Sequence, residues 1–78
     1  MIEAGSRKGK VEGQTDFARN LRRMRENRNM SRHTLSECCG LGHTMIGRYE
    51  RGETEPTLAA LAKMAQYLGV SISELTGM

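Results

Sequence analysis

The sequence predicts an all-α fold, a compact bundle of five helices, and three observations predict it. The chain has 78 residues, which is enough for one small domain. With one Phe, two Tyr and no Trp, its core must come from Leu, Ile, Met and Ala, and these residues favour packed helices over a sheet. Apolar residues recur at helical spacing, and no segment alternates convincingly with the period of two that a half-buried strand needs.

Composition and length divide the chain into a tail and one domain. Residues 1–14 contain three Gly and little that could pack, so we expect a flexible N-terminal tail. Residues 15–78 then form the folded domain. Hydrophobic residues make up 37% and charged residues 27%, a balance typical of a globular rather than a disordered chain. A core this small is marginal, so a dimer or a ligand would add stability.

The first predicted helix begins at Thr15 or Asp16, since both are good N-cap residues. Spacings of four, three and four place one stripe of residues on its inner face: Phe17, Leu21, Met24 and Arg28. Asn29 is a plausible left-handed stop after this helix.

Two short helices are predicted next. Ser31 is a suitable N-cap for the second helix, which carries Leu35 and Cys39 on its inner face and is interrupted at residues 40–42. The third helix is predicted over residues 43–51, with Ile46 and Tyr49 pointing inward and Gly52 ending it. On that register residues 43, 44, 47, 48 and 51 face outward.

The last two helices follow a polar loop. Pro56 or Thr57 opens the fourth helix, and Gly69 stops it. Its apolar stripe is predicted to be Leu58, Leu61, Met64, Ala65 and Leu68. Ser71 with Glu74 three residues later forms a capping box that opens the fifth helix, which holds Ile72 and Leu75.

The segment Arg32–Arg51 meets the demands of two helices joined at a steep corner. Ser36 is small where the helices approach, and Gly40 supplies positive φ where the chain leaves the first of them. The apolar residues that point into the corner are Leu35, Cys39, Leu41, Ile46 and Tyr49. This pattern resembles the DNA-binding helix-turn-helix, in which the second helix enters the major groove.

The resemblance extends over residues 17–75 and is to the phage Cro/CI repressor type, the XRE family. Its most specific parts are Leu-Arg-Arg-Met-Arg at residues 21–25, Tyr-Glu-Arg-Gly at residues 49–52, and residues 56–75. It implies the lambda-repressor-like bundle and a sequence-specific, repressor-like transcriptional regulator of double-stranded DNA. We expect a homodimer with one subunit per half-site. We expect the dimer face at the exposed side of the fifth helix, around Ile72, Leu75 and Met78.

Base contacts are assigned by the resemblance to exposed positions of the third helix, which are His43, Thr44 and Arg48. The predicted register supports these positions, because Ile46 and Tyr49 occupy the opposite face. The Arg48 guanidinium has the geometry to donate two hydrogen bonds to guanine.

Phosphate contacts are expected from basic residues and from the start of the second helix, namely Ser31, Arg32, Arg51, Arg22 and Arg23. Residues 15–33 carry six Arg against Asp16 and Glu26, and this basic block favours a polyanion as partner. The loop with Glu53 and Glu55 is expected to contribute little to the attraction.

The sequence departs from the family pattern at two positions and matches it at two others. Arg32 replaces a Gln that commonly contacts phosphate and braces the recognition helix, and Gly42 replaces a Ser or Thr cap. Arg25 and Glu50 match a paired Arg and Glu, so the resemblance implies a partly buried salt bridge between the first and third helices.

Other chemistries have weak support in the sequence. Cys38 and Cys39, with His33 and His43, lack the CxxC spacing of a zinc site, so neither a metal site nor a cofactor is expected. Catalytic constellations do not stand out, and we expect no enzyme. The chain has no apolar run of about 20 residues to span a membrane and lacks the apolar stretch of a signal peptide at its start, which favours the cytoplasm.

Three alternatives remain open on the same fold. The chain would also suit the antitoxin of a toxin–antitoxin pair, whose partner is a toxin protein, or a restriction-modification controller. An alternative from another class is a protein-interaction module that has lost DNA binding.

Overall fold

The computed structural model describes residues 15–77 and contains five helices in this part of the chain. They are α1 (Asp16–Asn27), α2 (Arg32–Cys38), α3 (Met45–Glu50), α4 (Leu58–Leu68) and α5 (Ile72–Thr76). No strand occurs between residues 15 and 77, so the prediction of an all-α bundle is confirmed. The predicted tail at residues 1–14, and Met78, lie outside the described residues.

Side-chain caps define the first turn of four helices. The side-chain oxygens of Thr15, Ser31, Thr57 and Ser71 each accept a hydrogen bond from the backbone N–H three residues later, at 3.0 to 3.1 Å. The Ser71 N–H also donates to Glu74 Oε1 at 2.8 Å, which completes the predicted capping box. Each such cap stabilises the protein by about 1 kcal/mol.

A residue in the left-handed backbone conformation follows each of the first two helices, α1 and α2. Asn29 has φ 57°, and the next N–H, of Met30, donates to Arg25 O at 3.2 Å. Gly40 has φ 70°, and a Cβ added there would meet nothing within 4 Å. Glycine is therefore favoured at residue 40 by the backbone conformation and not by lack of space.

Every helix contributes one large apolar side chain without exposed surface to a single core. These side chains are Leu21, Leu35, Ile46, Met64 and Leu75. Burying each of them stabilises the fold by about 1.5–3 kcal/mol relative to leaving it in water. Phe17 of α1 packs edge-on against Tyr49 of α3, with 6.0 Å between ring centroids. The core thus contains a residue from every helix, and α3 packs mainly against α1 and α2.

Two predicted core residues are exposed. Arg28 lies at the end of α1 on the surface, and Arg25 is buried in its place, because the inward face follows Ala18, Leu21 and Arg25. Leu58 is 72% exposed since it is the first residue of α4, before that helix turns its apolar face to the core.

Helix α3 begins two residues later than predicted. His43 and Thr44 form a turn, and Thr44 makes no side-chain hydrogen bond to the helix. Gly42 has no side chain that could cap an earlier start. The third helix therefore spans six residues and begins at Met45.

Candidate nucleic-acid interface

A buried serine fixes the corner between α2 and α3. Ser36 has no exposed surface, and its Oγ accepts a hydrogen bond from the backbone N–H of Ile46 at 3.4 Å. Its carbonyl oxygen accepts from the N–H of Leu41 at 2.8 Å. The small side chain lets the two helices approach closely and ties the start of α3 to α2.

The three predicted base-contacting residues lie together on the outer side of this corner. His43 and Thr44 are exposed in the turn before α3, and Arg48 is exposed on the helix itself. Ile46 and Tyr49 are buried on the opposite side. The side chains of these three residues are therefore available to a ligand without any change in the core.

A basic cleft lies beside this surface, between α1 and α3. Its lining residues are Ala18, Arg19, Arg22, Arg23, Glu26, Arg32, Gly47, Glu50 and Arg51. Five arginines against two glutamates give the cleft a positive charge. It collects four of the five predicted phosphate-contacting residues. The fifth, Ser31, caps α2 and is not part of the lining.

Arg25 and Glu50 form a buried two-pronged ion pair between α1 and α3. Arg25 Nε donates to Glu50 Oε2 at 2.6 Å, and Nη2 donates to Oε1 at 3.1 Å. The remaining guanidinium nitrogen, Nη1, donates to Met30 O at 2.8 Å. The hydrogen bonds to Glu50 raise the pKa of Arg25. The pair sets the position of α3 relative to α1.

Arg32 lies over Gly47, which was predicted to face outward. Gly47 is buried because the side chains of Arg51 and Arg32 cover it. A Cβ added there would lie 3.1 Å from Arg51 Nη1 and 3.4 Å from Arg32 Cδ. Arg32 Nη1 is also 3.7 Å from Glu50 Oε1. Arg32 thus braces α3 through Gly47 and Glu50, from the position where the family commonly has Gln.

Glu53 was not predicted as part of the site, and it joins two arginines there. Arg51 Nε donates to Glu53 Oε2 at 2.6 Å, and Arg48 Nε lies 3.7 Å from Oε1. The hydrogen bond from Arg51, with the charge of Arg48, lowers the pKa of Glu53. Its backbone N–H also donates to Arg48 O at 2.9 Å. The available sequence signal was an acidic residue shortly after Arg48 and Arg51.

The two cysteines differ in burial, and the expected dimer face is only partly exposed. Cys38 is exposed and Cys39 is buried. Burial raises the pKa of the Cys39 thiol. Leu75 is fully buried in the core, so it cannot belong to an exposed dimer face. Ile72 is 36% exposed and remains available.

Comparison with known sequences identifies the class. The sequence model of the helix-turn-helix family matches residues 21–75. The transcriptional regulator SutR of Escherichia coli is 40% identical over 53 residues, which are 68% of this chain and 30% of SutR. The control protein C.SmaI of Serratia marcescens is 40% identical over 59 residues, which are 76% of this chain and 70% of C.SmaI. This chain belongs to the XRE-type helix-turn-helix family of DNA-binding transcriptional regulators.

Solved structures support the same fold. The restriction-modification controller C.AhdI from Aeromonas hydrophila matches with a TM-score of 0.74 and 31% identity, over 78% of this chain and 92% of C.AhdI. Apo-HppE matches with a TM-score of 0.73 and 36% identity, over 81% of this chain but 35% of HppE. The same bundle therefore also occurs as a part of a longer protein. Among residues 15–77, no helix is long and apolar enough to cross a bilayer.

Proposed function

We propose that this chain recognises a specific double-stranded DNA sequence by placing α3 in the major groove, and that it acts as a repressor-like regulator in the cytoplasm. The observation that carries the proposal is the division of α3 into two faces. Ile46 and Tyr49 anchor one face in the core, while Arg48 is exposed on the other face, next to His43 and Thr44 in the preceding turn.

Base recognition is assigned to these three exposed residues. The forked guanidinium of Arg48 donates to O6 and N7 of guanine, and such a pair discriminates between bases by about 1–3 kcal/mol. Thr44 bonds a base edge or packs its methyl against thymine, and His43 donates to a base or a phosphate.

Phosphate contacts are assigned to the basic cleft. Arg22, Arg23, Arg32 and Arg51 line it, and Ser31 lies at the N-terminus of α2. Contacts of this kind fix the register of the protein on the duplex and make binding depend on salt. The cleft flanks the proposed recognition face, which is where a backbone strand would pass.

The chain is proposed to bind DNA as a homodimer. A two-fold dimer places two recognition helices about 34–36 Å apart, one turn of the duplex, so the target is an inverted repeat. Ile72 on α5 is the exposed apolar residue retained from the predicted dimer face.

A narrower candidate is the controller of a restriction-modification system. The alignments favour it, since this chain covers 70% of C.SmaI and 92% of C.AhdI. No enzymatic step is proposed, because these relatives are named as control and controller proteins. The antitoxin alternative, in which the chain binds a toxin protein, is taken up below for the case in which the DNA test fails.

Selection from a random duplex library at ~150 mM salt tests the proposal, since specific contacts must persist where phosphate attraction weakens. Wild type is compared with Arg48→Ala, and Lys63→Ala on α4 serves as a charge-matched control. We expect an enriched inverted repeat with wild type and Lys63→Ala that is lost with Arg48→Ala.

Failure to enrich any sequence would contradict the proposal and favour a protein-interaction module. A protein partner such as a toxin would then be sought. Enrichment that persists unchanged with Arg48→Ala would exclude α3 from the assigned role.

A further inference from the structure

The two histidines of this chain meet at the helix corner. His33 lies in the first turn of α2, and His43 lies ten residues later in the turn before α3. Their ring centroids are 4.3 Å apart, with 52° between the ring planes. No other histidine exists in the sequence, so the fold brings all of the imidazole in the chain to one point.

A carboxylate completes this cluster. Glu37 follows His33 by one helical turn, and His33 Nε2 is 3.4 Å from Glu37 Oε2. One candidate ligand atom from each of His33, Glu37 and His43 lies within 4.8 Å of the others. All three residues are exposed, which leaves their side chains free to adjust and leaves room for water.

We propose that His33, Glu37 and His43 bind one divalent transition-metal ion, with water in the remaining coordination positions. Neutral imidazole suits Zn²⁺, Ni²⁺ and Cu²⁺, whereas Mg²⁺ and Ca²⁺ prefer oxygen ligands throughout. Two imidazoles and one carboxylate with an open position form a set that zinc accepts.

The distances fit such an ion after small side-chain rotations. Nitrogen and oxygen ligands lie about 2.0–2.2 Å from zinc, so neighbouring ligands around a tetrahedral ion are about 3.3 Å apart. The His33–Glu37 separation of 3.4 Å already meets this value. Only the His43 imidazole has to close in, and it sits in an exposed turn.

The cysteines are not needed as ligands. Cys38 and Cys39 were considered with the two histidines as a zinc site, and none was expected because the cysteines lack CxxC spacing. Cys39 is 6% exposed and belongs to the core. The third candidate ligand beside the two histidines is Glu37. The spacing of the cysteines gives no indication of it.

Metal binding would connect two elements of the DNA-binding motif. The ion would clamp the exposed side of α2 to the turn that precedes α3, and it would occupy a ring nitrogen of His43. Any effect on DNA binding rests on the proposed function, whereas binding of the ion itself does not.

The test is titration of untagged, reduced protein with Zn²⁺ by calorimetry, and with Co²⁺ by visible absorption, both without DNA. We expect one ion per chain. His33→Ala and His43→Ala should each weaken binding at least tenfold, and Glu37→Ala several-fold. Cys38→Ser, at the exposed thiol beside Glu37, is the matched control and should bind as wild type does.

Nitrogen NMR shifts of both imidazoles on addition of Zn²⁺ to wild type give a measurement that requires no variant. Both rings should shift together at one equivalent. Absence of Zn²⁺ binding, binding that survives either histidine variant, or loss of binding in Cys38→Ser would each overturn the proposal. Since no DNA is present, failure here leaves the proposed DNA recognition standing.

Discussion

Arg25 and Glu50 form an ion pair that joins the first helix to the third, with Arg25 Nε and Glu50 Oε2 2.6 Å apart. The pair is almost fully buried, since each residue is at most 7% exposed. A buried pair of this kind contributes little net stability, because burial costs both charges their hydration. Removing only one partner leaves the other charge buried with fewer contacts. The pair therefore controls the position of the third helix more than it adds to the free energy of unfolding.

Glu50→Ala is expected to destabilise the protein by about 3–5 kcal/mol. For a domain of this size that corresponds to a fall in Tm of more than about 12 °C. DNA binding should weaken as well, since α3 loses its link to α1. Thermal unfolding followed by circular dichroism measures the first effect, and an unchanged Tm would contradict the prediction.

The double variant Arg25→Met with Glu50→Leu separates orientation from stability. Apolar side chains of similar volume can replace a buried ion pair with little loss. We expect its Tm to lie much closer to that of wild type than the Tm of Glu50→Ala. Its specific DNA affinity should nevertheless remain lower, and full affinity would argue against the positioning role.

Glu53→Gln is expected to strengthen DNA binding several-fold. The Glu53 carboxylate holds Arg51 and lies 3.7 Å from Arg48 Nε, so it competes with DNA for both arginines. Because Arg51 lowers the pKa of Glu53, this competition is present throughout the neutral pH range. Fluorescence anisotropy at several salt concentrations measures the change.

Glu55→Gln provides the control for this comparison, since it removes the same charge from the same loop. It should change DNA affinity much less than Glu53→Gln. Equal gains from the two variants would mean that only the net charge of the loop matters, and that the contact with Arg48 and Arg51 does not.

Gly47→Ala is expected to stabilise the helix but weaken DNA binding. Alanine is favoured over glycine within a helix by about 0.5–1 kcal/mol. The new methyl would lie 3.1 Å from Arg51 Nη1 and 3.4 Å from Arg32 Cδ, and these long side chains can move aside. Unfolding and DNA titrations of the same sample should then change in opposite directions. A lower Tm would show that the two arginines cannot move.

Stability is expected to fall at alkaline pH. Burial raises the pKa of Cys39 above its ordinary value of 9.0, and it also raises the pKa of Tyr49 above 10.0. The unfolded chain releases these protons at lower pH than the folded protein does, so unfolding becomes easier as pH rises above about 9. The folded protein keeps its full contribution from both groups below that pH.

Melting curves between pH 7 and pH 11 measure this dependence. Cys39→Ala should reduce the slope near pH 9–10, and Tyr49→Phe should reduce it at higher pH. Iodoacetamide at pH 8 should modify Cys38 first, since Cys39 is 6% exposed. Equal labelling of both thiols in the folded protein would contradict the burial of Cys39.

Local chemistry explains which structural predictions succeed. The caps at Ser31 and Ser71 and the left-handed Asn29 depend on residues within one turn, and all three are confirmed. Helical periodicity placed Arg28 on the inner face, whereas the buried residue is Arg25, whose partner Glu50 lies 25 residues away and was indicated only by the family resemblance. Periodicity alone does not provide that contact.

Contacts across the corner explain what the sequence could not predict about the candidate site. His33 and His43 are ten residues apart in the chain, and only the angle between α2 and α3 brings their rings together. Likewise, Glu53 reaches Arg48 because the chain turns back after α3. Each arrangement depends on the path of a turn, which residue spacing does not specify.

The two-faced construction of α3 bears on how such proteins diversify. Ile46, Tyr49 and Glu50 are buried and hold the helix in place. Thr44 and Arg48 are exposed and do not belong to the core. If these residues make the proposed base contacts, substitutions at them change the preferred DNA sequence without a cost in folding. After a gene duplication, two copies could acquire separate targets through a few such changes, each step passing through a stable protein.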